Sequence, residues 1–284
     1  MNLLRLLRPR HWLKNVFVVL ALIFSRSFFA ADILATALGV AAFCLMASAV
    51  YVFNDLLDAP RDRLHEVKKR RPIASGAVPV PAAWVLLCAL CAGALALDVF
   101  AFRSPATAAL LVGYFLINAA YSAKLKHVPL ADVLILSSGF MLRMFYGALV
   151  IGTPISNWLY LTTLSMSLFM AFAKRRNELT ALGKNAGKVR AVLSHYNANF
   201  LDKNMLMCLT LTNVFYALWA MHMSETEGPL FIWTAPLVMV ICLRYSLRVE
   251  TARFADPVDV LFGDKVLLAL LGLYALSMGA LLLS

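Results

Sequence analysis

Asp55, Asp58 and Asp62 are offset by three, four and seven positions, so on a helix of 3.6 residues per turn all three carboxylates share one face. Asn54 precedes them. A basic run follows (Arg61, Arg63, Lys68, Lys69, Arg70 and Arg71) and closes in Arg71-Pro72-Ile73-Ala74-Ser75-Gly76. Carboxylate oxygens grouped in this way are the hard ligands that Mg2+ takes. The ion completes its shell with water and the oxygens of a phosphorylated substrate, while Arg and Lys nearby hold the remaining phosphate charge. The pattern predicts a metal-diphosphate site in which Asp55, Asp58 and Asp62 are the catalytic metal ligands. Asn54, Arg63, Lys68 and Arg71 stand around the substrate, and His65 could donate to phosphate. The competing reading of this stretch is a solvated polar loop between two membrane helices.

The elements that must position these side chains are membrane helices. A chain of 284 residues that is 62% hydrophobic, 14% charged and of mean hydropathy +0.79 is a polytopic membrane protein rather than a soluble domain. Only helices satisfy the backbone of apolar runs of about 17 to 25 residues inside a bilayer. Nine spans are expected, near residues 13–30, 33–53, 81–101, 105–122, 130–151, 157–173, 204–223, 229–247 and 265–283. The first lacks a small-residue cleavage site and is expected to be retained. Cys44, Cys88, Cys91, Cys208 and Cys242 all fall within spans, as small apolar residues without a disulfide or zinc pattern. No internal repeat divides the chain, so residues 1–284 are expected to form one domain.

Charge gives the orientation. Of the 26 Lys and Arg, 23 lie at the N-terminus or in the loops after spans two, four, six and eight, so those segments are expected to be cytoplasmic. The net charge of +11 is then an orientation signal with membrane lipids as default partners, and no nucleic-acid motif accompanies it. In the loop between Lys174 and Lys203, apolar residues recur at roughly helical spacing, which predicts an amphipathic helix near 187–202. Asp264, before an apolar run, fits a helix N-cap.

Several charges sit where a bilayer penalises them. Arg143 lies mid-span and must face a polar interior or an anion, because a lone cation there costs at least about 2.5 kcal/mol. Asp132 is eleven residues earlier, three turns along the same side. Together they predict either a polar cavity wall or a structural ion pair. Tyr121 and Lys124 share a face at the end of the fourth span and could reach a phosphate together, or serve as an interfacial Tyr and a snorkelling Lys. Lys174, Arg175 and Glu178 close the sixth span, where Lys174 and Glu178 suit a helix-surface pair and the arginines suit phosphate.

The motif Asn54-Asp55-x-x-Asp58-x-x-x-Asp62 with its basic sequel resembles the first acidic signature of the UbiA superfamily of intramembrane prenyltransferases. The resemblance extends over nearly the whole chain. It implies an all-α fold of nine transmembrane helices around a central cavity, with Mg2+ and a diphosphate under a cytoplasmic cap. Where aromatic prenyltransferases carry a second Asp-rich motif after the sixth span, this chain has Lys174-Arg175-Arg176-Asn177-Glu178. Together with Tyr121-x-x-Lys124, Asp132 and Gly139-Phe140-x-Leu142-Arg143, that is similar to the decaprenyl-phosphate phosphoribosyltransferase branch. The resemblance implies 5-phosphoribosyl 1-diphosphate as donor, polyprenyl phosphate as acceptor and a bacterial plasma-membrane location.

On that reading Lys124, Lys174 and Arg175 share the diphosphate charge with the metal, and Arg143, Lys126 or Arg176 would hold the 5-phosphate. Arg143 is alternatively an anchor for the lipid phosphate. Two other readings compete: prenyl transfer to an aromatic or other small acceptor, and transport of a phosphorylated solute along Asp132 and Arg143.

Overall fold

The structure is a computed structural model that describes residues 2–24, 29–64, 68–251 and 257–283. His65 lies outside them. Every regular element among the described residues is helical. Among the described residues seven helices are both long and apolar enough to cross a membrane, against the nine spans expected. Of the span expected at 13–30, a 3-10 turn covers Pro9–Asn15 and a helix covers Val16–Phe24, and residues 25–28 lie outside the described residues. The span expected at 157–173 belongs to the 26-residue helix Asn157–Leu182. Its length suffices, but Thr162, Thr163, Ser165 and Ser167 dilute its apolarity before Lys174 is reached.

The chain divides into two compact units. The first takes in Met1–Lys126 and Leu142–Pro154. Its helices are α1 (Asn2–Leu7), α2 (Val16–Phe24), α3 (Ala30–Asp62), α4 (Val80–Phe102), α5 (Pro105–Ala123) and the second half of α6 (Ala131–Ile151). Phe43, Met46, Val50, Leu111, Tyr114 and Tyr146 lie in its core. α3 has 33 residues, about 50 Å of helix against a hydrocarbon core near 30 Å, so its last turns have length to spare beyond the apolar window. Pro60, which lacks an N–H, lies in the final turn, and the helix ends two residues later with Arg63 as C-cap. Gly147 is required by close approach: a Cβ there would fall 2.0 Å from the Val18 carbonyl oxygen of α2. The buried Asp98 of α4 takes hydrogen bonds from the Tyr146 hydroxyl at 2.6 Å and the Thr107 hydroxyl at 2.9 Å, tying α4 to α5 and α6.

The second unit takes in His127–Met141 and Ile155–Ser284. Its helices are the start of α6, α7 (Asn157–Leu182), α8 (Ala186–Val189), α9 (Ala198–Thr226), α10 (Thr234–Thr251), α11 (Pro257–Phe262) and α12 (Lys265–Leu283). α7 packs along α9, with the Thr212 hydroxyl 3.1 Å from that of Ser165. Asp264 caps α12 as its position implies, its Oδ1 accepting from the Val266 and Leu267 amides.

The amphipathic helix expected at 187–202 is not formed. α8 stops at Val189, a 3-10 turn covers Ala191–His195, and Arg190 and Tyr196 are extended. Asn197 then starts α9 by accepting a hydrogen bond from the Phe200 amide at 2.8 Å. An Asn cap competes well with helix continuation, and Tyr196 is held elsewhere by a buried carboxylate.

Candidate active site

At the end of α3 the helical period does what the spacing requires, and tertiary packing adds the partners. Asp55 and Asp62 are buried, 3% and 4% exposed, while Asp58 is half-buried. A single guanidinium nitrogen, Nη1 of Arg71, donates to Asp55 Oδ1 at 3.1 Å and to Asp62 Oδ2 at 2.7 Å. Two carboxylates two helical turns apart therefore converge on one cationic atom. Arg8 Nη2 adds a second bond to Asp55 Oδ1 at 2.6 Å, and Lys126 Nζ reaches Asp58 at 2.9 Å. Asn54 accepts from the Ser122 hydroxyl of α5.

Arg8 was not among the residues that the motif pointed to. It lies 47 positions before Asp55, and its only sequence signal was membership of a basic N-terminus. Its backbone adopts the left-handed region at φ 49 and ψ 59, which costs a non-glycine residue roughly 1–2 kcal/mol. That turn carries the chain from α1 into Pro9–Asn15, which is fastened along α3. Trp12 Nε1 donates to Ser48 at 3.0 Å, and Asn15 Nδ2 to Cys44 Sγ at 3.0 Å. The guanidinium of Arg8 also lies over the Tyr51 ring, 5.0 Å from its centroid.

Arg143 belongs to the core of the same unit. It is 5% exposed, donates to Asn15 Oδ1 at 2.7 Å and to the Tyr114 hydroxyl at 2.8 Å, and faces the rings of Phe43 and Tyr114. Asp132 has other partners, described next. Lys124, Arg63 and Lys68 are exposed, and Tyr121 is half-buried.

The second unit holds a separate ionic cluster. Asp132 and Arg175 are both fully buried, with Arg175 Nε donating to Asp132 Oδ2 at 2.5 Å. Arg175 Nη1 donates to Glu178 at 2.5 Å, and Arg190 reaches the same carboxylate at 3.3 Å. The Tyr196 hydroxyl donates to Asp132 Oδ1 at 2.6 Å and accepts from the Leu130 amide at 2.7 Å. Burial pushes Glu178 upward, but the charges of Arg175, Arg190 and Lys174 outweigh it and hold the carboxyl below its ordinary value. Burial, with the bond to Asp132, raises the Tyr196 hydroxyl to about 12. Lys174 itself is half-buried.

Among the described residues no three His, Cys, Asp or Glu side chains stand close enough together to form a metal nest. Mg2+ does not require one: it commonly takes one or two carboxylates and fills its remaining positions with water and substrate phosphate. The convergence of Asp55 and Asp62 on one cationic nitrogen meets that requirement, so the donor set fits the ion.

Residues 15–263 match the UbiA prenyltransferase family. The chain belongs to that family. Among relatives of this UbiA member, the decaprenyl-phosphate phosphoribosyltransferase of Corynebacterium glutamicum is 34% identical over 273 residues, covering 94% of this chain and 82% of the relative. The protein of that name from Mycolicibacterium smegmatis is 30% identical, covering 94% and 87%. A solved UbiA homolog from Archaeoglobus fulgidus, bound to DMAPP and Mg2+, shares the fold with a TM-score of 0.75 at 20% identity, covering 99% of each chain. The UbiA assignment accounts for the helical fold.

Proposed function

We propose that this UbiA protein transfers the 5-phosphoribosyl group of 5-phosphoribosyl 1-diphosphate to a polyprenyl phosphate. The products are diphosphate and a polyprenyl-phosphoryl-5-phosphoribose for envelope glycan synthesis. The observation that carries the reading is the convergence of Asp55 and Asp62 on one cationic nitrogen within a set of further cations. The phosphoribosyltransferase relatives, matched over most of their length, support this choice of substrates.

In the proposed reaction an oxygen of the lipid phosphate attacks the anomeric carbon as the bond to diphosphate breaks, and positive character develops on the ribose as in other glycosyl transfers. A phosphate oxygen is already ionised and needs little help from a base, so the chain's contribution is positioning and electrostatics. Asp55 and Asp62, with Asp58 beside them, would hold Mg2+, which when bound neutralises charge on the departing diphosphate. Arg8, Arg71 and Lys126 supply cations to the phosphates, joined by the exposed Arg63, Lys68 and Lys124. Asn54, oriented by Ser122, and Tyr121 are assigned to substrate hydrogen bonds.

Arg175, Asp132 and Glu178 satisfy one another, and their role in this reading is to order the end of α7. Arg143, set among Asn15, Tyr114 and Phe43, organises the core of the first unit. Residues 1–284 act as one functional domain, a reading supported by a family match that runs through both units. The basic loops support the cytoplasmic face of a bacterial plasma membrane as the side on which the chemistry takes place.

Labelled 5-phosphoribosyl 1-diphosphate, Mg2+ and polyprenyl phosphate incubated with the purified protein should yield a labelled, solvent-extractable lipid. Prenylation of an aromatic acceptor without labelled lipid would instead establish the prenyltransferase reading. Counterflow of a phosphorylated solute without bond breaking would establish transport.

A further inference from the structure

We infer that Arg71, with Arg8, is a built-in counter-ion that makes metal capture depend on diphosphate, so that neither ligand binds well without the other. The inference rests on the metal-diphosphate reading of the site and adds to it an order and a coupling.

Three carboxylates, Asp55, Asp58 and Asp62, face three cations, Arg8, Arg71 and Lys126, at 2.6 to 3.1 Å. The cluster is locally neutral as it stands. Nη1 of Arg71 occupies the point on which Asp55 and Asp62 converge, which is where a small hard cation would have to sit. A divalent ion arriving alone must displace that nitrogen, leaving a guanidinium without its carboxylates beside a new double positive charge in a partly buried place. A diphosphate arriving alone finds the three innermost cations, Arg8, Arg71 and Lys126, already claimed by carboxylates. When both arrive, the metal takes the carboxylates and each guanidinium exchanges a carboxylate oxygen for a phosphate oxygen, a geometry that suits its planar fork. No charge is then stranded. The exchange is open to Arg71 and Arg8 because their side chains are 29% and 24% exposed and can swing toward a ligand.

Such mutual dependence is a coupling free energy between two ligands, and it is reciprocal. Its use is selective: resting Asp55 and Asp62 are not claimed by whichever divalent ion is abundant, and the site assembles only on a substrate that carries a diphosphate.

The test is Mn2+ binding, followed by the electron paramagnetic resonance signal of free Mn2+, with purified protein in the presence and absence of inorganic pyrophosphate. Mn2+ takes the same oxygen-rich octahedral sites as Mg2+. In the unaltered protein pyrophosphate should tighten Mn2+ binding at least about tenfold, within the roughly 5–150-fold range of ordinary coupling. Arg71→Gln should bind Mn2+ alone more tightly than the unaltered protein, with the effect of pyrophosphate reduced to less than about threefold. Arg71→Lys, which restores one cationic nitrogen, should recover part of the coupling. If Arg71→Gln fails to give a monodisperse protein, Arg8→Gln reports the same trend more weakly.

Mn2+ affinity in the unaltered protein that ignores pyrophosphate would overturn the inference, as would full coupling in both glutamine variants. Absence of Mn2+ binding under every condition would overturn the metal reading of the site as well, so the two failures are distinct.

Discussion

The two units each hold a cluster of arginines and carboxylates, and the clusters differ in how far they are closed. In the first unit Arg8, Arg71, Asp58 and Lys126 keep 17–33% of their side-chain surface exposed. In the second, Arg175 and Asp132 keep none, while Glu178 and Arg190 at its edge keep 19% and 23%. Asp55 and Asp62 are themselves buried, but their guanidinium partners keep contact with solvent and can turn to a ligand, and the Lys126–Asp58 pair, open on both sides, contributes only about 0–1 kcal/mol. Closed pairs hold the fold, because removing one partner strands a charge in a dry place. Similar residue types therefore make a cluster with solvent-reachable cations in one unit and a cluster with a closed centre in the other.

The comparison can be broken most directly at Arg175. Arg175→Ala should destabilise the protein by about 3–5 kcal/mol through the stranded Asp132 carboxylate. A large fall in unfolding temperature in detergent would show it; an unchanged temperature would mean that the cluster is not structural. Asp55→Asn should act the other way round, cutting turnover by about 10²–10³-fold, the scale of losing one preorganised electrostatic group. Its gel-filtration profile should remain that of the unaltered protein.

Tyr196→Phe removes a hydroxyl that serves both Asp132 and the Leu130 amide. The expected cost is about 1.5–3 kcal/mol, read as faster amide exchange or proteolysis around residues 186–197. Lys126→Ala, in the open cluster, should change stability by less than about 1 kcal/mol. If its cost matched that of Arg175→Ala, the distinction between open and closed clusters would fail.

Glu178 sharpens the comparison through pH. Its folded carboxyl lies below the ordinary 4.5 because Arg175, Arg190 and Lys174 favour the charged form. Its contribution is therefore complete above about pH 4.5 and is lost as pH falls through the lowered folded value. The gap in unfolding temperature between the unaltered protein and Glu178→Gln should stay constant from pH 7 to 5 and shrink in more acidic buffer. A gap that shrank between pH 7 and 6 would point to a different titrating group.

Much of this protein is determined by local sequence. A run of apolar residues of the right length dictates a helix in a bilayer, and offsets of three, four and seven dictate that Asp55, Asp58 and Asp62 share a face, because both follow from the 1.5 Å rise and 3.6-residue period of one element. Asp264 as the cap of α12 is equally local. The break at Asn197 is local too, yet it was hidden under an apolar period that continues across it, and only the bond from Phe200 and the hold of Asp132 on Tyr196 reveal which signal wins.

Partner choice is different in kind. That Arg8 reaches Asp55 across 47 positions, that Lys126 takes Asp58 across 68, and that Arg175 is enclosed by Asp132 while Arg71 stays open, depends on which helices pack together and on how much space they leave. Many basic residues along this chain could have paired with these carboxylates as far as charge is concerned. Packing selects among them, since an ion pair forms only where the backbone brings both groups within about 4 Å, and it decides which pairs solvent or a substrate can still reach.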